Sequence, residues 1–232
     1  IEKACGISER LHICHLSSAL GLVAVEEGRR ARRVVTAEVA PHHLLLNDKD
    51  YQKQGSFLKM NPPIRRKADN EALWQALRTG AIDILASDHA PHLPEEKRED
   101  IWEAPPGVPG VETMLPLMLM AVKKNLISLE RLVDALSTRP AKIFGLAGKG
   151  AIERGMDADL VVVDSKAITE INADRLHSRA DWTPYQGKQA IFPQMTIVRG
   201  RVVWDGELQA IPGYGRFLGR ALKREKQKVL SE

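Results

Sequence analysis

The side chains best suited to chemistry gather in one stretch, Ile82-Asp83-Ile84-Leu85-Ala86-Ser87-Asp88-His89-Ala90-Pro91-His92. Ile82, Ile84 and Leu85 read as a short buried strand that stops on the polar cluster Ser87, Asp88, His89 and His92. A strand ending in Asp and His can build a site, because the sheet fixes the backbone and the polar groups sit at its C-terminal edge. Asp88 can be a metal ligand, a general base, or both. Pro91 narrows the directions open to His92 through its fixed φ. The competing reading is a polar turn in which Asp88 merely caps the next segment.

Two further strand-like runs also end in histidine. Leu11 to Leu16 alternates in character and carries His15 at its end, just before Ser17-Ser18. Those serines suit the N-cap of a helix from Ala19 to about Arg30, whose terminal arginines complement the helix dipole. On pattern alone His15 stands open between a ligand and a structural histidine. Arg33 to Val39 is the second strand and runs into Pro41-His42-His43. Adjacent residues on an extended chain point to opposite sides, so His42 and His43 should not both face one metal; a supporting role is expected for them. Asn61, held by Pro62-Pro63, is placed to hydrogen-bond a substrate amide or carboxylate, and Arg65 to pair with an anion or cap a helix.

The elements that would position these groups follow from periodicity. Ala68 to Thr79 reads as an amphipathic helix on Leu73, Trp74 and Leu77, closed by Gly80. Leu93 to Pro109 is a proline-rich loop beside the central strand end, the usual position of an active-site loop. Gly107 and Gly110 in it allow close backbone approach to a ligand. Val111 to Lys124 is a helix with a stripe of Met114, Met118 and Met120, read as core packing. Ser128 caps a helix through Leu136, and Arg139 to Phe144 forms another. Beyond Gly145 the chain turns to short strands, with Ala158 to Val163 and Met195 to Trp204 the clearest.

Composition excludes several classes. With 232 residues, 44% hydrophobic and 28% charged, the chain is an ordinary globular sequence. It has no apolar run long enough for a membrane helix. Its 2 cysteines, Cys5 and Cys14, make no disulfide framework, so a cytoplasmic setting is expected. The net charge of +4 sits in the arginines at positions 29–33 and in the tail from Arg216 to Lys228, without aromatic interleaving or a nucleic-acid motif. No nucleic-acid and no membrane partner is expected. The tail, residues 211–232, is expected to be helical or partly disordered. The absence of an initiator Met or a signal pattern suggests a start in mid-protein.

Strand–helix units repeated with polar residues at strand C-termini are the arrangement of a parallel α/β barrel. The pattern ends near residue 144, whereas a complete (β/α)8 barrel takes about 250 residues. The expected fold is therefore the last part of a (β/α)8 barrel over 1–148, followed by a small β-rich unit over 149–210.

Taken together, His12-Ile13-Cys14-His15-Leu16-Ser17, Val39-Ala40-Pro41-His42-His43-Leu44, Asn61-Pro62-Pro63-Ile64-Arg65, Ser87-Asp88-His89-Ala90-Pro91-His92, Gly107-Val108-Pro109-Gly110-Val111-Glu112-Thr113 and Gly155-Met156-Asp157-Ala158-Asp159-Leu160-Val161 resemble the C-terminal portion of the bacterial and archaeal dihydroorotases, within the cyclic amidohydrolase superfamily. The motifs keep that family's order and spacing. The resemblance implies that the fold is the C-terminal part of a (β/α)8 TIM-type metal-dependent hydrolase barrel with strands of a small β-sandwich. It also implies zinc, two ions in a complete enzyme, with His15 and Asp88 as ligands and Asp88 also as general base. It implies that Asn61 and His92 hold the substrate ring and carboxylate, with backbone groups near Pro106 and Gly107 completing the pocket. The implied reaction is the reversible cyclisation of N-carbamoyl-aspartate to dihydroorotate in pyrimidine synthesis, by a homo-oligomer with aspartate transcarbamoylase as a candidate partner. The chemistry is coherent, because zinc lowers the pKa of water to about 7 and a carboxylate can carry the proton to the leaving nitrogen.

The family's first-strand His-x-His pair and its middle-strand ligands have no counterpart here. A catalytic zinc takes about three protein ligands, and this chain offers two. It is expected to bind metal poorly and to be inactive alone. The alternatives are a related cyclic amidohydrolase, such as an allantoinase or dihydropyrimidinase, and a catalytically dead scaffold homologue. Asn61 before the paired prolines and His92 after Pro91 favour a carboxylated dihydropyrimidine.

Overall fold

The computed structural model describes residues 1–219. The part of the basic tail beyond residue 219 lies outside the described residues. After a short helix α1 (Glu2–Ile7), the strands β1 (Arg10–Ile13), β2 (Val34–Val39) and β3 (Ile84–Leu85) form one parallel sheet in the order β1-β2-β3. Arg10 stands beside Val34, and Glu38 beside Ile84. Each strand returns through a helix: α2 (Ala19–Arg30) after β1, α5 (Lys67–Thr79) after β2, and α7 (Val111–Lys123) after β3. The partial (β/α) barrel read from the sequence is thus present, with β1 and β3 each paired on one side only among the described residues.

Local chemistry explains the boundaries. Ser18 caps α2 by accepting from the Gly21 amide. Gly80 ends α5 in the left-handed conformation, where a residue without Cβ is least strained. On β2, Val35, Ala37 and Val39 are buried while Thr36 and Glu38 turn to the other face, the period-two pattern of a strand covered unequally on its two sides. The covered face packs Val25 of α2, Leu73 and Leu77 of α5 and Met118 of α7 into one core. Met118 and Met120 are buried, as core packing requires.

The N-terminal edge of the sheet is stapled by arginines. Asp83, just before β3, accepts from Arg29 Nη2 at 2.7 Å, from the Ala37 amide at 2.8 Å and from Arg139 Nη1 at 3.1 Å. Arg131 donates to the Leu77, Ile82 and Asp83 carbonyls. Arg131 and Arg139 lie on α8 (Leu129–Val133) and α9 (Arg139–Phe144), which are joined by a π-helical turn over Asp134–Thr138. This face carries stability; the opposite face is free for a site.

Between β2 and α5 the chain forms two short helices, α3 (Pro41–Leu45) and α4 (Tyr51–Gln54), and the proline-rich loop contains another, α6 (Pro94–Lys97). Here the structure departs from expectation. Pro41 occupies the first turn of α3, where its missing N–H is harmless, so His42 and His43 are helical rather than extended. They do not project to opposite sides; their rings meet edge to face, with centroids 4.3 Å apart.

Beyond residue 149, β4 (Leu160–Val162), β7 (Met195–Val198) and β8 (Arg201–Trp204) form an antiparallel sheet. β5 (Ile168–Glu170) and β6 (Gln189–Ile191) form a separate antiparallel pair, and β6 lies against α7 with Ala190 and Ile191 buried.

Candidate metal and substrate site

His15 follows β1 by two residues, and Asp88 follows β3 by three. The sheet continues just past its strands, through Leu16 N–H to Glu38 O at 2.8 Å and Ala86 N–H to Val39 O at 3.1 Å. Both candidate ligands stand on that held backbone in the left-handed region, His15 at φ 36° and Asp88 at φ 46°. A non-glycine residue there is strained by about 1–3 kcal/mol, and such strain persists where surrounding structure over-determines it, most often at functional sites. Two strained residues, at the ends of the strands that flank β2, place one imidazole and one carboxylate at the same edge of the sheet.

His42 joins them. Its Nε2 lies 3.4 Å from Asp88 Oδ2, an ion-pair separation short of a well-formed hydrogen bond. The close His42 ring holds the Asp88 carboxyl below the usual carboxylate range; burial opposes this, and His15 and His43 add to it. His43 is buried and pushed down to about 3, chiefly by desolvation and then by His42. It is neutral, and its Nε2 donates to the Pro62 carbonyl at 3.0 Å. That leaves His43 Nδ1 as a lone pair. The turn carrying both histidines is held from α5: Asn70 Nδ2 donates to the His43 and Leu46 carbonyls at 2.6 and 2.9 Å, and Trp74 Nε1 to the Leu44 carbonyl at 3.0 Å.

His15 Nδ1, both nitrogens of His42 and His43 Nδ1 are buried without a hydrogen-bond partner. An orphaned buried polar atom costs about 1–3 kcal/mol. Several such nitrogens beside one carboxylate suit a bound cation, since imidazole and carboxylate are the donor set of a divalent metal such as zinc. His15 and Asp88 fit such an ion.

The other expected site residues form a second group. His92 Nε2 donates to the Pro106 carbonyl at 3.2 Å, and the His92 carbonyl accepts from Trp182 Nε1 at 2.8 Å. Gly107, at φ 137°, packs so closely that a Cβ would meet the Ala90 Cβ at 2.5 Å and the Ala90 carbonyl at 2.8 Å; only glycine fits. Its amide donates to the Lys59 carbonyl at 2.9 Å, tying the loop to the segment that leads into exposed Asn61. Pro106 is exposed. His89, also in the polar cluster, accepts at Nδ1 from the Gly110 and Val111 amides at the start of α7, at 3.0 and 3.3 Å. It serves the helix terminus.

Sequence reasoning missed a third group. His12, Cys14 and Glu38 share the less covered face of β1 and β2, their ligand atoms all within 4.8 Å of one another. The register that places His12 beside Thr36 would have found it. Both His12 nitrogens are already engaged, Nδ1 with Thr36 Oγ1 at 2.8 Å and Nε2 with Glu38 Oε2 at 3.0 Å. The Cys14 thiol is pushed up by burial, Glu38 and Asp88. His12, Thr36 and Glu38 thus form a hydrogen-bonded cluster beside the exposed Cys14, and Glu38 also accepts from the His15 amide at 3.3 Å.

Comparison with known proteins places this geometry. The sequence model of the amidohydrolase family matches residues 11–203. A curated dihydroorotase of Methanosarcina acetivorans is 46% identical over 98% of this chain, and that of Halobacterium salinarum 48% identical over 89%. The chain spans about half of each, 50% and 48%. Among solved structures, the L-hydantoinase (dihydropyrimidinase) of Arthrobacter aurescens superposes with a TM-score of 0.87 at 36% identity, covering 91% of this chain and 48% of that one. The D-hydantoinase (dihydropyrimidinase) of Thermus sp. gives 0.86 at 32%, covering 90% and 48%. A partial parallel barrel and a family match across most of the sequence agree: the chain belongs to the amidohydrolase family.

Proposed function

We propose that this chain supplies the second half of a dihydroorotase site, which hydrolyses dihydroorotate to N-carbamoyl-aspartate and cyclises it in reverse. The observation that carries this reading is the convergence of His15 and Asp88, both strained at strand ends, with unpartnered imidazole nitrogens beside them. A divalent metal, zinc on this reading and two ions in a complete site, would be held by His15 and Asp88 with ligands from outside the chain, and supplies Lewis acidity and an acidified water. Asp88 Oδ takes the proton of the attacking water and returns it to the ring nitrogen as the amide C–N bond breaks. A carboxylate held below the usual range is ionised at neutral pH and ready to accept that proton.

Asn61 and His92 orient the substrate ring and its carboxylate, and the backbone at Pro106 and Gly107 closes that side. His43 holds Asn61 in place through the Pro62 carbonyl. The domain division that goes with this reading is a half-barrel over 1–148, a composite β unit over 149–210 and a tail over 211–232. Pyrimidine synthesis in the cytoplasm, a homo-oligomer and association with aspartate transcarbamoylase are parts of the same proposal.

The hydantoinase-like neighbours give a second reading, hydrolysis of an uncharged cyclic amide. It is the weaker one, because the named dihydroorotases are 46–48% identical and the named hydantoinases 32–36%. The deciding experiment joins the first half of the Methanosarcina acetivorans relative to this chain and compares turnover of dihydroorotate, dihydrouracil and hydantoin. Preference for dihydroorotate is expected; preference for either uncharged ring would overturn the proposal.

A further inference from the structure

Lys97, the last residue of α6, has no exposed surface at all (0%) and no carboxylate partner among the described residues. Its Nζ donates to three carbonyls: Lys59 at 3.0 Å, Pro105 at 2.8 Å and Gly107 at 3.0 Å. An ammonium has three protons, and all three are used. The Trp182 ring lies 5.9 Å from the same nitrogen, within reach of a cation–π contact. Burial, and then nearby Lys59, push the group down to about 8, so it remains protonated at neutral pH.

Burying an unpaired charge is costly, and an apolar side chain would fill the space more cheaply. What the charge provides is direction. The Pro105 and Gly107 carbonyls turn inward to Nζ, and the Pro106 carbonyl between them turns to the His92 ring. The third acceptor, Lys59 O, also receives the Gly107 amide and lies two residues before Asn61. The indole that faces Nζ also donates to the His92 carbonyl. One cation therefore joins every segment assigned to substrate binding.

We propose that Lys97 is a positioning residue whose buried ammonium does the work of a structural cation, fixing the 105–107 loop, His92 and the Asn61 segment in the geometry that receives the substrate carboxylate. This rests on the substrate reading above. Three measurements separate the two. In this chain, the Lys97 ζ-ammonium should give an observable, slowly exchanging 1H–15N signal at neutral pH; exchange as fast as a surface lysine's would overturn the proposal, and no variant is needed. In Lys97→Met, protection of the Gly107 amide should fall at least tenfold while β1 and β2 amides keep theirs; unchanged protection at Gly107 would overturn it. In the joined chain, Lys97→Met should raise KM for dihydroorotate about tenfold with kcat within a few fold, the signature of lost binding, and Lys97→Arg should recover part of the loss. A fall in kcat with KM unchanged would overturn the positioning role. Absence of dihydroorotate turnover in the unmutated joined chain, with the first two results as expected, would defeat only the substrate reading.

Discussion

At the scale of the residue, the account rests on Asp88. Asn tolerates the left-handed region well, so Asp88→Asn at φ 46° should stay folded, its stability within about 0.5 kcal/mol of the parent. It should also lower kcat in the joined chain by 10²–10⁴, the usual worth of a general base; retention of more than about a tenth of kcat would count against that role. His92→Ala should act differently, raising KM for dihydroorotate about tenfold at similar kcat, and an unchanged KM would contradict its contact with the carboxylate. His43 gives a pH prediction. Its folded pKa of about 3 lies below the ordinary 6.5, so the unfolded chain binds the extra proton between those values. The stability it contributes is present above pH 6.5 and is lost as pH falls towards 3, by up to about 1.4 kcal/mol per pH unit. Urea unfolding of His43→Gln across that window should show a shallower slope; an unchanged slope would mean that His43 titrates normally. Much of this scale was legible in sequence, because Asp and His closing an apolar run announce a strand-end site. The positive φ angles were not, since they arise from how the sheet holds its strand ends. Lys97 was not either: it sits in Glu95-Glu96-Lys97-Arg98-Glu99-Asp100, which reads as a solvated run.

At the scale of the element, two supports do different work. Asn70 on α5 holds the α3 turn, and Asp83 pins the opposite edge of the sheet. Asn70→Ala leaves two carbonyls without their donor and should cost about 2 kcal/mol in urea unfolding. Because that turn carries His42 beside Asp88, it should also disturb turnover. Asp83→Ala should cost about 2–3 kcal/mol, since it leaves Arg29 without its carboxylate and Arg139 with Asp134 alone. It lies at the N-terminal edge, away from the site, so kcat and KM of the folded fraction should hold. Equal effects of the two substitutions on activity would contradict this division. The α2, α5, α7 and α8 helices were legible because each had a cap or a clear apolar stripe. The α3 helix was hidden by its brevity and by the extended reading of Val39 to Pro41. β5 and β6, at 3 residues each, are too short for alternation to declare itself.

At the scale of the whole molecule, the sheet has, among the described residues, three parallel strands and a face of His12, Thr36 and Glu38 that is only partly covered. Open strand edges and a polar face call for a complementary surface. Among the described residues no helix is long and apolar enough to cross a membrane. Sequence periodicity exposed this incompleteness, because the strand–helix pattern stopped far short of a full ring. The decisive measurement is zinc content together with dihydroorotate turnover for the joined chain, for this chain alone, and for the joined chain carrying His15→Ala. Bound zinc and turnover in the joined chain, with both lost in this chain alone and in His15→Ala, is the predicted result. Zinc and turnover that survive His15→Ala would contradict the assignment of the site to these strand ends.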